Sequence, residues 1–314
     1  MKRALVLASS CLLASSYLLA LEAHAATFYV IVAGLGGEPG YEQRFTAAAN
    51  DLDRIFKSAG ATARVYTLVG AQATAARFRD TMTTIGREAK ADDDFALILI
   101  GHGSFDGVEY KFELPGPDVT AAEIAAMCDR VRSRRQLIVA TTSASGGAVQ
   151  ALEKPGRAVI AATKSGTEKN ATVFARYWVD AFEDPSADAD KSDSVSAMEA
   201  FLYASEKTAA FYDAEKRLAT EHAVFNDVGH GEGVREPGNG QGMLLSNFTL
   251  LRLGASQLAA NDPAKRALLD RKQELEQKID ILKYRKAAMD PTDYKKQLSD
   301  ALVELSIVQE QLDQ

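Results

Sequence analysis

Four histidines and two cysteines are the whole supply of imidazole and thiol in 314 residues. A covalent mechanism needs a nucleophile beside a base, and a metal cluster needs several such side chains converging. These six positions are too few for a disulfide framework or a Cys/His zinc cluster. His102 stands out by its setting in Gly101-His102-Gly103-Ser104, directly after the apolar run Phe95–Ile100. A second apolar run, Leu137–Thr142, ends in Ser143-Ala144-Ser145-Gly146-Gly147. If both runs are neighbouring strands, a base and a hydroxyl nucleophile meet at their ends. Gly103 lets a backbone N–H come close to a substrate carbonyl and stabilise an oxyanion. A histidine that merely caps a strand end has the same local pattern.

Residues 1–25 have the form of a secretory signal. Lys2 and Arg3 precede an apolar run from Ala4 to Leu21, and Ala23-His24-Ala25 is an A-x-A cleavage site. A membrane anchor is the weaker reading, because the run carries four serines and stops at Glu22. Cys11 lacks the preceding leucine of a lipid-modified cysteine. Cleavage after Ala25 takes 25 of the 314 residues and leaves 289. Loss of Lys2, Arg3 and Glu22 moves the formal charge from −7 to −8. Cys11 and His24 go as well, leaving Cys128 with His102, His222 and His230. One cysteine forms no intramolecular disulfide. The expected location is a periplasm or the cell exterior, with no stable membrane insertion after cleavage. The acidic balance argues against a nucleic-acid partner, since phosphate contacts demand surplus Lys and Arg. With 46% hydrophobic and 25% charged residues, neither wholesale disorder nor a multi-span membrane protein fits.

The elements that must position His102 and Ser143 alternate along the chain. Phe28–Ala33, Arg64–Val69, Phe95–Ile100, Leu137–Thr142 and Ala158–Ala162 are short Val/Ile-rich runs that predict buried strands. Phe45–Ala59, Thr74–Ala89, Ala121–Val131 and Thr172–Phe182 have helical spacing. Strands separated by helices predict right-handed crossovers and a mostly parallel α/β sheet with helices on both faces. A long helix from about Val195 to Glu221, a glycine-rich loop from Gly229 to Gly242 and a strand over Leu244–Leu253 are expected next. From Pro263 to Gln314 there is no glycine, and Leu268, Leu275, Leu282 and Met289 recur at heptad intervals, as do Leu298, Leu305 and Leu312. Asp290-Pro291 between them is a helix start. The pattern predicts an antiparallel helical hairpin over 262–314, packed on its own domain or in a coiled coil with another chain. Self-association through these helices is therefore an expected partnership.

With the strands in place, the chain resembles the legumain family of caspase-like cysteine peptidases. The likeness starts at FYVIVAG and Tyr41-Glu42-Gln43-Arg44, continues through ILIGHGSFDG and reaches LIVATTSASGG, covering roughly residues 27–165. It implies a caspase-like domain over 26–255, with His102 as general base, Gly103 as an oxyanion donor and position 143 as nucleophile. It further implies that Arg44 helps line the pocket for the residue before the scissile bond. The sequence departs from the family at position 143, where serine replaces cysteine. A thiol near pKa 8.5 forms a thiolate beside histidine; a serine hydroxyl is far less acidic and needs an oriented imidazole. Asp106 and Glu109 are the nearest acidic side chains in sequence. Cys128 falls in a helix and reads as a small buried side chain. Three functions stay open: a peptidase homologue cleaving peptide bonds through His102 and Ser143, an inactive homologue that binds peptides or partner proteins, and an assembly protein acting through its helical tail.

No cofactor is required by this chemistry, but residues 184–200 include a calcium-loop pattern. Asp188, Asp190, Ser192, Ser196 and Glu199 stand at positions one, three, five, nine and twelve, and Ser194 offers a carbonyl at position seven. Asp193 replaces the glycine of position six, where the turn demands a left-handed conformation. An acidic turn capping the following helix is the other reading. Asn226–Gly231 lacks oxygen ligands at two required positions. His222 and His230 read as ordinary loop residues. Gly34-Leu35-Gly36-Gly37 departs from a dinucleotide loop because Glu38-Pro39 follows, and Asn170 and Asn247 begin short glycosylation-type motifs.

Overall fold

The computed structural model describes residues 25–314 apart from 61, 239, 287 and 288. The expected signal segment, Ala25 excepted, lies outside the described residues. The chain begins with β1 (Thr27–Ala33), α1 (Pro39–Ser58), β2 (Ala63–Leu68), α2 (Ala75–Glu88) and β3 (Asp94–Ile100). Next come β4 (Gly103–Phe105), β5 (Tyr110–Phe112), β6 (Val119–Thr120), α3 (Ala121–Cys128) and β7 (Arg135–Ala140). They are followed by α4 (Val149–Leu152), β8 (Arg157–Ala161), α5 (Phe174–Asp180), β9 (Ser194–Ser196) and α6 (Ala197–Ala214). The last are β10 (Val224–Asn226), α7 (Met243–Ser246), β11 (Thr249–Arg252), α8 (Gly254–Asn261), α9 (Pro263–Arg285) and α10 (Pro291–Asp313).

Six strands form the central sheet in the order β10-β8-β7-β3-β1-β2. All neighbours are parallel except β10, which runs antiparallel to β8. This is the mostly parallel α/β sheet expected from the alternation of Val/Ile runs and helices. Along β1, Tyr29, Ile31 and Ala33 face the core under α1, α5 and α6, whereas Phe28, Val30 and Val32 face α2 and α3. Both faces of the strand are buried, which is why the run reads as continuously apolar rather than alternating. The two cores give every strand of the centre a fixed height. Adjacent β3 and β7 keep register from Asp94↔Arg135 to Leu99↔Ala140, so the segments after Ile100 and Ala140 emerge side by side. That register brings residues 102 and 143 together.

Several boundaries differ from the sequence reading. The helix expected from Val195 to Glu221 is shorter: α6 starts only after Ser196 caps it and stops at Ala214, with Lys216 at a φ of 52°. The strand expected over Leu244–Leu253 splits into α7 and β11, and β11 pairs with β9 in a separate two-stranded sheet. The edge strand β10, with three residues, is too short to leave a periodic signal. In the tail, Asp290 Oδ1 accepts from the Thr292 and Asp293 amides at 2.8 and 3.2 Å, starting α10 at the expected residue. Lys265 reaches the Leu312 carbonyl at 2.8 Å, and Arg271 pairs with Glu304, so α9 and α10 run antiparallel.

Candidate active site

At the carboxyl end of β3, Gly101 takes a φ of 150° and releases His102 from the strand. The imidazole lies edge-on to two rings of α1, with centroids 4.7 Å from Tyr41 and 5.1 Å from Phe45. Helix α1 therefore fixes the ring plane by packing. The His102 carbonyl accepts from Glu113 N–H at 3.1 Å, which ties the turn to the chain leaving β5. At the carboxyl end of β7, Ser143 is 3% exposed. Its hydroxyl accepts from the Gly103 N–H at 3.1 Å and donates to the Gly103 carbonyl at the same distance. Both hydrogen bonds of the hydroxyl thus go to one residue, and that residue is the expected oxyanion donor.

Gly103 has no room for a side chain. A Cβ there would lie 2.6 Å from the Tyr110 ring and 2.7 Å from the Ser143 carbonyl. Tyr110 is itself held by a 2.6 Å bond between its hydroxyl and Thr142 Oγ1, and burial pushes its pKa above the ordinary tyrosine range. The residue after the serine, Ala144, has a φ of 55° and is fully buried. A non-glycine residue in the left-handed region stores strain, and here the neighbours hold it there. Its N–H donates to the Glu168 carbonyl at 2.8 Å. Glu168 Oε1 in turn lies 2.6 Å from His222 Nδ1. His222, read as an ordinary loop residue, thus braces the loop that carries Ser143.

His102, Gly103, Ser104, Phe105, Glu113, Ser143 and Lys169 line one open hollow of about 340 Å³. The geometry therefore places the two residues singled out by sequence in the same concavity. Arg44 is not on its wall. The Arg44 guanidinium sits 4.3 Å from the Tyr41 ring centroid, one ring behind His102. Asp106 accepts from the Val108 and Glu109 amides at 2.9 Å, which hold its carboxyl below the ordinary range. It closes a turn rather than serving the imidazole. Glu113 and Lys169 were missed by the sequence reading, because neither falls in a motif or on a periodic face. Cys128 ends α3, fully buried, and burial pushes its thiol up to about 12. A thiol so raised is no nucleophile at neutral pH.

The acidic loop lies elsewhere. Carboxylate oxygens of Asp188, Asp190 and Glu199 come within 4.8 Å of one another. Asp193 adopts a φ of 61°, the conformation demanded of position six. Asp188 accepts from the Ser192 and Asp193 amides at 3.0 and 3.2 Å, and Asp190 from Ser192 at 3.0 Å. Glu199 accepts from Ala189 at 3.0 Å and from the Ser196 amide at 2.9 Å, while Ser196 Oγ accepts from the Glu199 amide. Burial raises the Glu199 carboxyl above its ordinary value against the pull of those donors. Amides of the loop thus hold the Asp188, Asp190 and Glu199 carboxylates together, and Ser196 with Glu199 forms the capping box that starts α6. Ser194 lies in β9. A hollow of about 960 Å³ separates this loop from the hairpin. It lies away from the strand ends where His102 and Ser143 meet.

Among the described residues no helix is long and apolar enough to cross a membrane. No protein-family model and no curated protein sequence matches the chain. In structure it is similar to protein GSU0716 from Geobacter sulfurreducens, with a TM-score of 0.45 and 12% identity over 66% of this chain and 95% of that one. It is also similar to the Drosophila initiator caspase Dronc, with a TM-score of 0.43 and 12% identity over 67% of this chain and 82% of that one. The strand order and the two buried faces of the sheet, rather than these distant likenesses, carry the fold class.

Proposed function

We propose that the chain is an exported caspase-like protein that holds extended peptide segments at its strand ends without cleaving them. The observation that carries this reading is the two-way hydrogen bond between Ser143 and Gly103. Attack by a serine needs its proton directed at a base and an oxyanion donor left free for substrate. Here the hydroxyl proton goes to a backbone carbonyl, and the Gly103 N–H is spent on Ser143 itself. Peptide is favoured as the ligand because β4 is an edge strand of its small sheet and leaves Ser104 exposed beside the hollow. The Gly103 amide and carbonyl are already taken by Ser143, so an added strand would pair beyond Gly103. An edge strand offers unpaired backbone groups to an added strand. Glu113 and Lys169 give the adjoining hollow one charge of each sign.

A fluorophosphonate probe tests the silent site. The protein from Ala26 onward and its Ser143→Ala variant are expected to label equally weakly. Labelling that disappears in Ser143→Ala would instead establish a serine hydrolase. That second reading is favoured by one observation, the strained Ala144 beside a serine sharing a hollow with His102. Arrayed extended peptides test the binding: Lys169→Glu should weaken capture of acidic peptides roughly tenfold. Capture unchanged by that reversal counts against the hollow as the site. Export is checked by amino-terminal sequencing of the protein from a cell envelope fraction, with Ala26 expected first.

A further inference from the structure

Helix α10 carries two stripes of different character. Leu298, Ala301, Leu305, Val308 and Leu312 are buried or half-buried on the side that packs against α9. The opposite stripe, from Lys296 through Ser299, Val303 and Ile307 to Glu310, is exposed throughout. On it Val303 is 58% and Ile307 51% exposed, with Leu302 at 48% on the flank. Val303 and Ile307 stand one turn apart and form the apolar centre of this stripe, while Leu302 lines the hollow beside the acidic loop.

The charges on this stripe say what covers it. Lys296 and Glu310 have no ion-pair or hydrogen-bond partner among the described residues, and they lie seven residues to either side of Val303. Residues seven apart fall on one line of a helix. An antiparallel copy of α10 with its two-fold axis at Val303 sets Lys296 opposite Glu310 at both ends. The same axis sets Ile307 over the small Ser299 and Asp300 against Ser306. Parallel pairing would stack Lys296, Asp300 and Glu310 each on its own kind, which repels. The surface is therefore self-complementary in one direction only, as a two-fold interface must be. We infer that a second copy of this chain docks here, α10 against α10, so that two hairpins form an antiparallel four-helix bundle. The contact is independent of the site at His102 and Ser143.

Sedimentation of the protein from Ala26 to Gln314 tests the inference, and a concentration-dependent dimer is expected. Lys296→Glu and Glu310→Lys should each weaken dimerisation about tenfold or more, and the two together should restore it. All these positions are exposed, so the variants should keep the thermal unfolding of the parent, which is measured alongside. Val303→Cys should crosslink readily on mild oxidation, since the axis sets the position against itself and Cys128 is buried. Lys296→Cys should not, because its copies lie at opposite ends of the bundle. A chain monomeric at its highest soluble concentration, a double reversal that fails to restore association, or crosslinking through position 296 rather than 303 would each overturn the inference.

Discussion

At the scale of single residues, Gly103 does more than its expected part as an N–H donor. It is the point where β4, Tyr110 and the Ser143 loop press together, with 2.6–2.7 Å available where a Cβ would go. Gly103→Ala should therefore destabilise the fold by about 1–3 kcal/mol through overpacking, read by urea unfolding. A variant as stable as the parent would mean that the loop can move aside, and the Ser143 hydroxyl with it. His102 and Ser143 were legible because glycines follow apolar runs at two strand ends. Glu113, Lys169 and the Glu168–His222 brace were not, since they lie 25 to 79 residues from Ser143 in the chain with no period to mark them. Arg44 shows the converse: its neighbour Tyr41, rather than Arg44 itself, touches the imidazole. A motif in sequence marks the segment, and packing decides which of its side chains faces the site.

At the scale of elements, the register that sets Ser143 beside Gly103 is anchored at the other end of the same strands. Asp94 opens β3 and pairs with Arg135, which opens β7, at 2.6 Å, and with Arg134 at 3.0 Å. Arg135 also donates to the Asn247 carbonyl, tying the segment before β11 to the sheet. Burial alone would raise the Asp94 carboxyl, but the two guanidinium groups outweigh it and hold the pKa below the ordinary value. A carboxyl depressed in the folded state stabilises above its unfolded pKa, near 3.9, and loses that contribution as pH falls through the folded value. Asp94→Asn should cost about 3 kcal/mol at pH 7 and flatten the loss of stability below about pH 4. Parallel acid titrations followed by urea unfolding check this; equal slopes for variant and parent would remove Asp94 as the acid-sensitive group. The second cap is smaller: Ser196→Ala should lower stability by about 1 kcal/mol, through the lost acceptor for the Glu199 amide. The central strands and helices were readable from period and composition. The short β9, β10 and β11 were not, because three or four residues hold too few turns of any period to register.

At the scale of the whole molecule, the chain divides into a body that carries the site and a hairpin that carries the self-complementary face. Among the described residues, both buried cores of the body are built from residues between Phe28 and Leu251, and neither includes a residue of α9 or α10. The hairpin has its own apolar contacts, with Leu275 fully buried and Leu269, Ile279 and Leu282 nearly so. Polar, partly exposed contacts join it to the body: Arg252 to Gln273 at 2.9 Å and to Asp270 at 3.8 Å, Lys272 to the Ser192 carbonyl at 3.4 Å, and Gln273 to Thr249 at 3.4 Å. Exposed polar contacts of this kind are each worth about 1 kcal/mol or less. A chain spanning Ala26 to Asn261, which keeps α8, should therefore unfold in one cooperative transition and lose no more than about 4 kcal/mol. It should keep peptide capture and sediment as a monomer at every concentration. Calorimetry and sedimentation of the shortened chain decide the matter together. Loss of cooperative unfolding would make the hairpin part of the folding unit, and a persistent dimer would move the self-contact onto the body, away from Val303.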